Sequence, residues 1–172
     1  MMDALEAIYS RRSIRRYTGE PVPDEIIQEL LKAAMSAPSA GNEQPWEFVV
    51  ITEREILTVI PSIHPYSQML NEAPAAILVC GNEQREKYRG YWVQDCSAAM
   101  ENILIAARAL GLGSVWLGVY PVEERVTGMR RLLGIPEHIT PFSLVSLGFP
   151  AEEKPPSDRY DNARVYFNQW GK

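Results

Sequence analysis

The segment over residues 91–110 constrains the fold of this chain more than any other feature, because it is the longest helical pattern in the sequence. Its apolar side chains cover most of the helix circumference instead of one stripe: Ala98, Ala99, Met100, Ile103, Leu104, Ile105, Ala106, Ala107 and Leu110. A helix that is apolar nearly all round must be buried nearly all round. The chain of 172 residues fits a single domain over residues 1–172. In so small a chain we expect a second copy to cover this helix, which predicts a homodimer.

Helices and strands alternate along the rest of the chain. Helical patterns cover residues 2–12, 25–35, 53–60 and 122–133, and strand patterns cover residues 46–51, 75–80, 114–119 and 142–149. Asp24 is the expected N-cap of the second helix. The alternation favours a layered sheet covered by helices. The tail from residue 151 onward is Pro-rich, charged and aromatic, and we expect it to lie over the surface, outside the sheet.

Charge and cysteine usage exclude several functions. The formal net charge of -5 argues against nucleic acid as the main partner, because nucleic-acid binding is driven by the neutralisation of phosphates. Cys80 and Cys96 belong to no CxxC pair, and with His64 and His138 as the only histidines the sequence argues against a zinc site. We expect both cysteines to be small core residues and both histidines to lie on the surface or in loops.

The start of the chain and its most apolar stretch bear on where the protein resides. No secretory signal pattern opens the sequence, because Asp3 and Glu6 interrupt its beginning. Residues 96–112 are too few and too charged to span a bilayer. We therefore expect a cytoplasmic protein without a membrane partner.

The first candidate site is an arginine cluster. Arg11, Arg12, Arg15 and Arg16 crowd around Ser13 in an otherwise acidic chain, where they repel one another. A phosphate dianion would explain the cluster, because guanidinium groups match its oxygens bidentately and the serine adds a hydroxyl donor. A solvated basic stretch paired with surface carboxylates would explain it equally well.

The second candidate site is the loop over residues 37–46. Ser39, Asn42 and Gln44 offer donors and acceptors between Pro38 and Pro45, which stiffen the loop. Such a loop suits recognition of the polar edge of a flat heterocycle. These residue types are also common in an ordinary turn between a helix and a strand.

The third candidate site is the glycine-rich segment over residues 111–120. Gly118 removes a side chain near the end of a predicted strand, so backbone can approach a ligand closely. Gly111 and Gly113 match the start of a dinucleotide fingerprint, but Trp116 stands at the third glycine position and the segment opens a strand instead of a helix. The segment is therefore not a Rossmann nucleotide site, and we interpret Trp116 as a core aromatic residue.

Taken together, these segments resemble the FMN-dependent nitroreductase family, and in particular its compact members. The family's Arg-[Arg/His]-Ser-x-[Arg/Lys] element, its Pro-Ser-x-x-Asn-x-Gln-Pro-Trp loop and its Gly-Leu-Gly-x-x-Trp-x-Gly strand match residues 11–15, 38–46 and 111–118. The tail is similar to the family's closing segment, with Arg159 followed by Tyr160 and Trp170. The motifs occur in order along the whole chain. The resemblance implies an α+β layered sandwich, in which helices cover a central mixed sheet, and an intertwined homodimer with shared active sites.

The resemblance also implies roles for individual residues in holding FMN. Arg11, Arg12, Ser13 and Arg15 would hold the ribityl phosphate and the pyrimidine edge, and Arg159 would complete the phosphate site from the tail. Pro38, Ser39 and Asn42 would reach the isoalloxazine ring from the partner subunit, with Gln44 as a further cofactor-binding candidate on the same loop. The Gly118 backbone would lie over the ring near its reactive nitrogen. Gln68 falls where family members place a polar contact to the ring.

The position of Gln68 departs from the pattern of larger family members, which carry a basic residue there. Stabilisation of the anionic reduced flavin must then come from another residue, for which Arg15 is the candidate. The flavin performs the chemistry, so no side chain need act as a nucleophile. The resemblance thus implies a ping-pong oxidoreductase that takes hydride from NADH or NADPH and passes it to nitroaromatics, quinones or similar small oxidants.

Three alternatives remain open from the sequence. Sibling chemistry in the same family, such as reductive dehalogenation or breakdown of the flavin itself, would use the same site. The chain has no long insertion to serve as a lid, which favours a broad-specificity reductase. A non-catalytic flavin or anion carrier is the second alternative. A nucleic-acid module built on the arginine cluster is the third, and it lacks an aromatic platform for bases.

Overall fold

A four-stranded sheet forms the centre of the computed structural model, which describes residues 2–171. The strands are β1 (Trp46–Ile51), β2 (Ala75–Asn82), β3 (Gly113–Gly118) and β4 (Ile139–Gly148). Their order in the sheet is β1-β2-β4-β3, and every neighbouring pair is antiparallel. The sheet was expected to be mixed, and among the described residues parallel pairing is limited to an isolated bridge between Ser13 and Ser114.

Two apolar cores lie on the two faces of this sheet. The helices that cover them are α1 (Ala4–Ser10), α2 (Asp24–Met35), α3 (Arg54–Ile63), α4 (Trp92–Ala109) and α5 (Glu123–Leu133). In β2, Ile77 and Val79 pack into the core that contains α2 and α4, whereas Leu78 packs into the core that contains α3 and α5. Successive strand residues point to opposite faces, so an apolar run without alternation serves both cores. The α+β layered sandwich is therefore confirmed.

Helix α4 is only partly covered within one chain. Its inner side is fully buried, with Ala99, Met100 and Ile103 at 0% exposure. The opposite side retains the partly exposed Ile105, whereas Ala98 and Ala106 are partly exposed but pack against the core. The part of the helix that the sequence assigns to a second copy is thus still accessible in the single chain. Cys80 and Cys96 are free and buried, as expected.

Several element boundaries differ from those expected. Helix α2 begins at Asp24 itself, with Pro23 as the N-cap and no side-chain capping bond, because the Ile26 and Ile27 amides both donate to the Pro23 carbonyl. Asp24 therefore faces the positive end of the helix dipole from within the first turn instead of capping it. Strand β4 begins at residue 139 rather than 142, since an extra residue in β4, Phe142, shifts its register against β2 and keeps Pro141 within the pairing.

The tail lies outside the sheet, as expected. It leaves the sheet after the pairing of Tyr17 with Pro150, and its only regular element in the described part is a short turn at Asn162–Arg164. Its aromatic side chains Phe167 and Trp170 are 78% and 85% exposed. Over residues 2–171, no helix has both the length and the apolar character required to cross a membrane.

Candidate functional site

The edge strand β3 holds the arginine segment in place. Ile14 donates its backbone N–H to the Ser114 carbonyl at 3.0 Å, next to the Ser13–Ser114 bridge. This approach requires glycine at position 113, because a Cβ there would lie 2.7 Å from Cγ2 of Ile14. The Ser13 carbonyl accepts a bond from Lys154 Nζ at 2.6 Å, which ties the start of the tail to the same segment. The arginines are therefore carried by sheet-supported backbone instead of a free loop.

Arg11, Arg12 and Arg159 line one cavity of about 830 Å³, which we call the arginine cavity. Arg12 donates from Nε to the Pro155 carbonyl at 2.7 Å, but its Nη2 is buried and has no hydrogen-bond partner among the described residues. Partial burial, followed by the positive charges of Arg159 and Arg11, lowers the pKa of Arg12. Two carboxylates, Glu101 and Asp158, also line this cavity, and Glu101 Oε1 lies 3.6 Å from Nε of Arg11. An anion with several oxygens would supply the missing acceptor and relieve the repulsion.

A second cavity of about 680 Å³, which we call the Gly118 cavity, brings together Arg15, Gln68 and Gly118. These residues come from three separate parts of the chain, and all were expected to contact one ring system. Gly118 ends β3 with open space where a Cβ would stand. Trp116 also lines this cavity while packing edge-on against Phe142, with ring centroids 6.0 Å apart. Trp116 is therefore a partly exposed wall of the cavity as well as a core aromatic residue.

His64 lies in the loop that follows α3, one of the two expected locations, but it is buried there and only 2% exposed. Its Nε2 lies 2.9 Å from the carbonyl oxygen of Gly118. Arg125 Nη1 donates to the same oxygen at 2.8 Å. Burial first, and then the charge of Arg125, lowers the pKa of His64. Since a carbonyl oxygen accepts, Nε2 must carry the proton, and the ring is the neutral Nε2–H tautomer. His138 is exposed, as expected.

Two further residues of the Gly118 cavity were missed from the sequence. The guanidinium carbon of Arg125 lies 5.6 Å from the centre of the Tyr66 ring. The Tyr66 ring in turn meets His64 edge-on, with centroids 6.3 Å apart. Arg125 sits on α5 and Tyr66 beyond α3, so no local motif joins them. Their common feature is a place in the lining of the Gly118 cavity, which only tertiary structure reveals.

The loop with Pro38, Ser39 and Asn42 lies apart from both cavities. Gln44 donates its backbone N–H to Ser39 Oγ at 3.0 Å and its side-chain amide to Asn42 Oδ1 at 3.0 Å. Asn42 and Gln44 both adopt positive φ, 55° and 48°, which is uncommon for residues other than glycine. Gln44 and Trp46 line a different cavity of about 380 Å³. One chain therefore does not bring this loop to the arginines or to Gly118.

Two buried carboxyl groups anchor the loop. Glu43 Oε2 accepts the backbone N–H groups of Lys87 and Tyr88 at 2.7 and 3.2 Å, and Asp95 Oδ1 accepts that of Ala40 at 3.1 Å. The other oxygen of each carboxyl is buried with no acceptable partner among residues 2–171. Burial first, and then Glu43, raises the pKa of Asp95. Burial next to a second carboxyl group therefore favours the protonated form of Asp95.

The raised pKa of Asp95 predicts a stability change with pH. Because the pKa of Asp95 is higher in the folded than in the unfolded chain, the folded state binds more protons, and this contribution is lost as pH rises through the raised pKa. Between about pH 5 and pH 8, we expect Asp95→Asn to gain a few degrees in Tm relative to the wild type, at about 2–4 °C per kcal/mol. Thermal unfolding at several pH values measures this, with the exposed Glu137→Gln as control. Parallel curves for Asp95→Asn and wild type would contradict a raised pKa of Asp95.

The chain belongs to the nitroreductase family. The family model matches residues 8–66 and 62–149, which include the arginine cluster, the loop at 38–46 and all four strands. The resemblance seen in the motifs is therefore confirmed. The arginine cavity and the Gly118 cavity are therefore the candidate functional site of a member of this family.

Relatives of known sequence or structure match the whole chain. A protein of Methanothermobacter thermautotrophicus, provisionally named NADH dehydrogenase/NAD(P)H nitroreductase, is 54% identical over 169 residues, covering 98% of this chain and 88% of that protein. A crystal structure from Parabacteroides distasonis with the same provisional name has a TM-score of 0.94 at 38% identity, covering 99% and 100% of the two chains. A provisionally named nitroreductase from Desulfovibrio desulfuricans, crystallised with FMN, has a TM-score of 0.84 at 31% identity, covering 99% of each chain.

Proposed function

We propose that this chain is an FMN-dependent NAD(P)H oxidoreductase that passes hydride equivalents to nitroaromatics, quinones or similar small oxidants. The observation that carries the proposal is the buried, unpartnered Nη2 of Arg12 in a cavity shared with Arg11 and Arg159. That arrangement fits a phosphate group, because it offers a charged donor that no described protein group satisfies. The family, and its FMN-bound member from Desulfovibrio desulfuricans, support FMN as the bearer of that phosphate.

In the proposed complex, the two cavities bind different parts of FMN. Arg11, Arg12 and Arg159 hold the phosphate, with Ser13 beside them on the segment paired to β3. Arg15, Gln68 and the Gly118 backbone contact the ring system from the Gly118 cavity. Bound FMN supplies the hydride chemistry, whereas the protein orients it and controls access. The reduced nicotinamide leaves before the oxidant enters the same cavity, which gives ping-pong kinetics.

The proposal includes a homodimer with shared sites. Pro38, Ser39, Asn42 and Gln44 lie apart from both cavities of their own chain, which supports a role in the site of a second copy. The partly exposed apolar side of α4 supports the same assembly. We expect the interface to exceed about 2,000 Å², as in obligate dimers. A monodisperse monomer in light scattering at micromolar concentration would contradict it.

The visible spectrum tests the function directly. The purified protein, reconstituted with FMN and desalted, is expected to keep a flavin spectrum that bleaches when NADH or NADPH is added without oxygen. Addition of a quinone or nitroaromatic should then restore the colour. A protein that retains no flavin would refute FMN binding. Retained flavin that neither nicotinamide bleaches would mean a flavin carrier instead of an oxidoreductase.

A further inference from the structure

Positive charge in the Gly118 cavity exceeds negative charge. Among its lining residues, Arg16 is paired with Glu72, with Nε and Oε2 3.0 Å apart. His64 is held neutral by its lowered pKa. Arg15 and Arg125 therefore remain as uncompensated charges, and the proposed function assigns Arg15 to the flavin ring.

Arg125 is held in place, yet most of its donors are unused. Its Nη1 is bound to the Gly118 carbonyl, and the guanidinium carbon lies 5.6 Å from the centre of the Tyr66 ring. Over residues 2–171 it has no carboxylate within ion-pair distance and no other hydrogen-bond acceptor. A guanidinium has five N–H donors in a fixed fork that matches a carboxylate bidentately. The fork is therefore positioned beside the cavity with donors to spare.

We propose that Arg125 makes the Gly118 cavity selective for oxidants that carry a carboxylate or similar acid group. The inference rests on the proposed function and adds to it the class of oxidant. A molecule that enters this cavity lies beside Gly118, and the oxygen of Gly118 is the group that fixes Arg125. The arginine thus lies next to the backbone proposed to contact the ring, where an acid group on a small oxidant can reach it.

The nicotinamide's phosphates are the other source of an acid group for this arginine. The two sources are distinguished by the half-reactions, because reduction by nicotinamide and reoxidation by an acceptor can be measured separately. A purely structural role, in which Arg125 only supports Gly118, would affect charged and neutral acceptors alike. Paired ligands that differ in charge but hardly in shape therefore distinguish three roles of Arg125: binding of an acidic oxidant, binding of the nicotinamide's phosphates, and structural support of Gly118.

The test compares 4-nitrobenzoate with 4-nitrobenzamide as acceptors, and benzoate with benzamide as non-reacting ligands of the oxidised FMN-loaded protein in calorimetric titration. We expect the wild type to favour the charged member of each pair. Arg125→Gln keeps an amide donor for the Gly118 carbonyl but removes the charge. It should weaken benzoate binding and kcat/KM for nitrobenzoate by about 10- to 100-fold and leave the neutral ligands nearly unchanged.

The control is Arg131→Gln, which replaces an exposed arginine on the same helix. It should change neither the affinity ratio of benzoate to benzamide nor the kcat/KM ratio of nitrobenzoate to nitrobenzamide. Equal losses for charged and neutral ligands in Arg125→Gln would overturn the proposal in favour of a structural role. Slower bleaching by NADH or NADPH with unchanged acceptor and ligand ratios would overturn it in favour of nicotinamide binding. Failure of the proposed function is seen earlier and separately, as a protein that retains no flavin or whose flavin is not bleached.

Discussion

Replacing Arg12 or Arg159 by alanine is expected to weaken FMN binding by about 10- to 100-fold while leaving the weaker binding of riboflavin almost unchanged. The physical reason is that a charge-assisted contact to phosphate is lost, and riboflavin lacks the phosphate. Both side chains line the arginine cavity, and Nη2 of Arg12 is buried without a hydrogen-bond partner among residues 2–171. Titration of the apoprotein with each ligand, followed by quenching of flavin fluorescence, measures both affinities.

Arg16→Ala is the matched control for this experiment. Arg16 belongs to the same cluster and lines the Gly118 cavity, but it is paired with Glu72, its side chain is 66% exposed, and it is not proposed to contact FMN. Its truncation should change FMN affinity little. Equal losses of affinity for FMN and riboflavin in the Arg12 and Arg159 variants would show that these residues maintain the fold or contact the flavin ring. The phosphate would then have to be bound elsewhere.

Two inactive variants are expected to regain activity when their chains are mixed, if each flavin site draws on both subunits. Arg15→Glu disables the residue proposed to contact the ring from one chain, and Asn42→Asp disables the loop proposed to reach that ring from the other. In a mixed dimer, one site contains both lesions and the other contains neither. Random reassociation makes about half of the dimers mixed, so about a quarter of wild-type activity should return.

The experiment dissociates each variant, mixes the two in equal amounts, reassociates them and measures turnover of a quinone. Each variant taken alone through the same steps is the control for losses in refolding. A mixture no more active than either parent would contradict shared sites. It would also require the loop at 38–46 to reach its own chain's flavin by a movement that the structure does not show.

Elements with a strong local pattern were predictable from the sequence. Strand β1 has the expected bounds, and α4 starts and ends within one residue of them, since its flanking residues interrupt the helical pattern sharply. The expected N-cap at Asp24 and the expected start of β4 after Pro141 were wrong, because backbone pairing at these positions differs from what the local residue types favour. At Asp24 the Pro23 carbonyl accepts the first helical bonds, and at Pro141 the strand continues because a bulge at Phe142 shifts the pairing of β4 with β2.

The candidate site was predictable only where a motif is continuous in the chain. The arginine cluster stands out because like charges are crowded together in an acidic sequence. The sequence carries no comparable signal for the convergence of His64 and Arg125 on one carbonyl oxygen, because the two residues come from the ends of different helices and meet through β3. The buried pair of Glu43 and Asp95 was missed for the same reason: a carboxylate that will be buried looks like any surface carboxylate until the loop and α4 are brought together.

Arg159 is carried by the exposed tail, whereas Arg11 and Arg12 are supported by the sheet. In the proposed complex, the phosphate of FMN therefore links the sheet-supported arginines to the tail, which makes few contacts of its own. Thermodynamic linkage makes this reciprocal: the factor by which a docked tail tightens FMN binding equals the factor by which FMN favours the docked tail. Loss of the cofactor and release of the tail are then two measurements of a single coupling free energy.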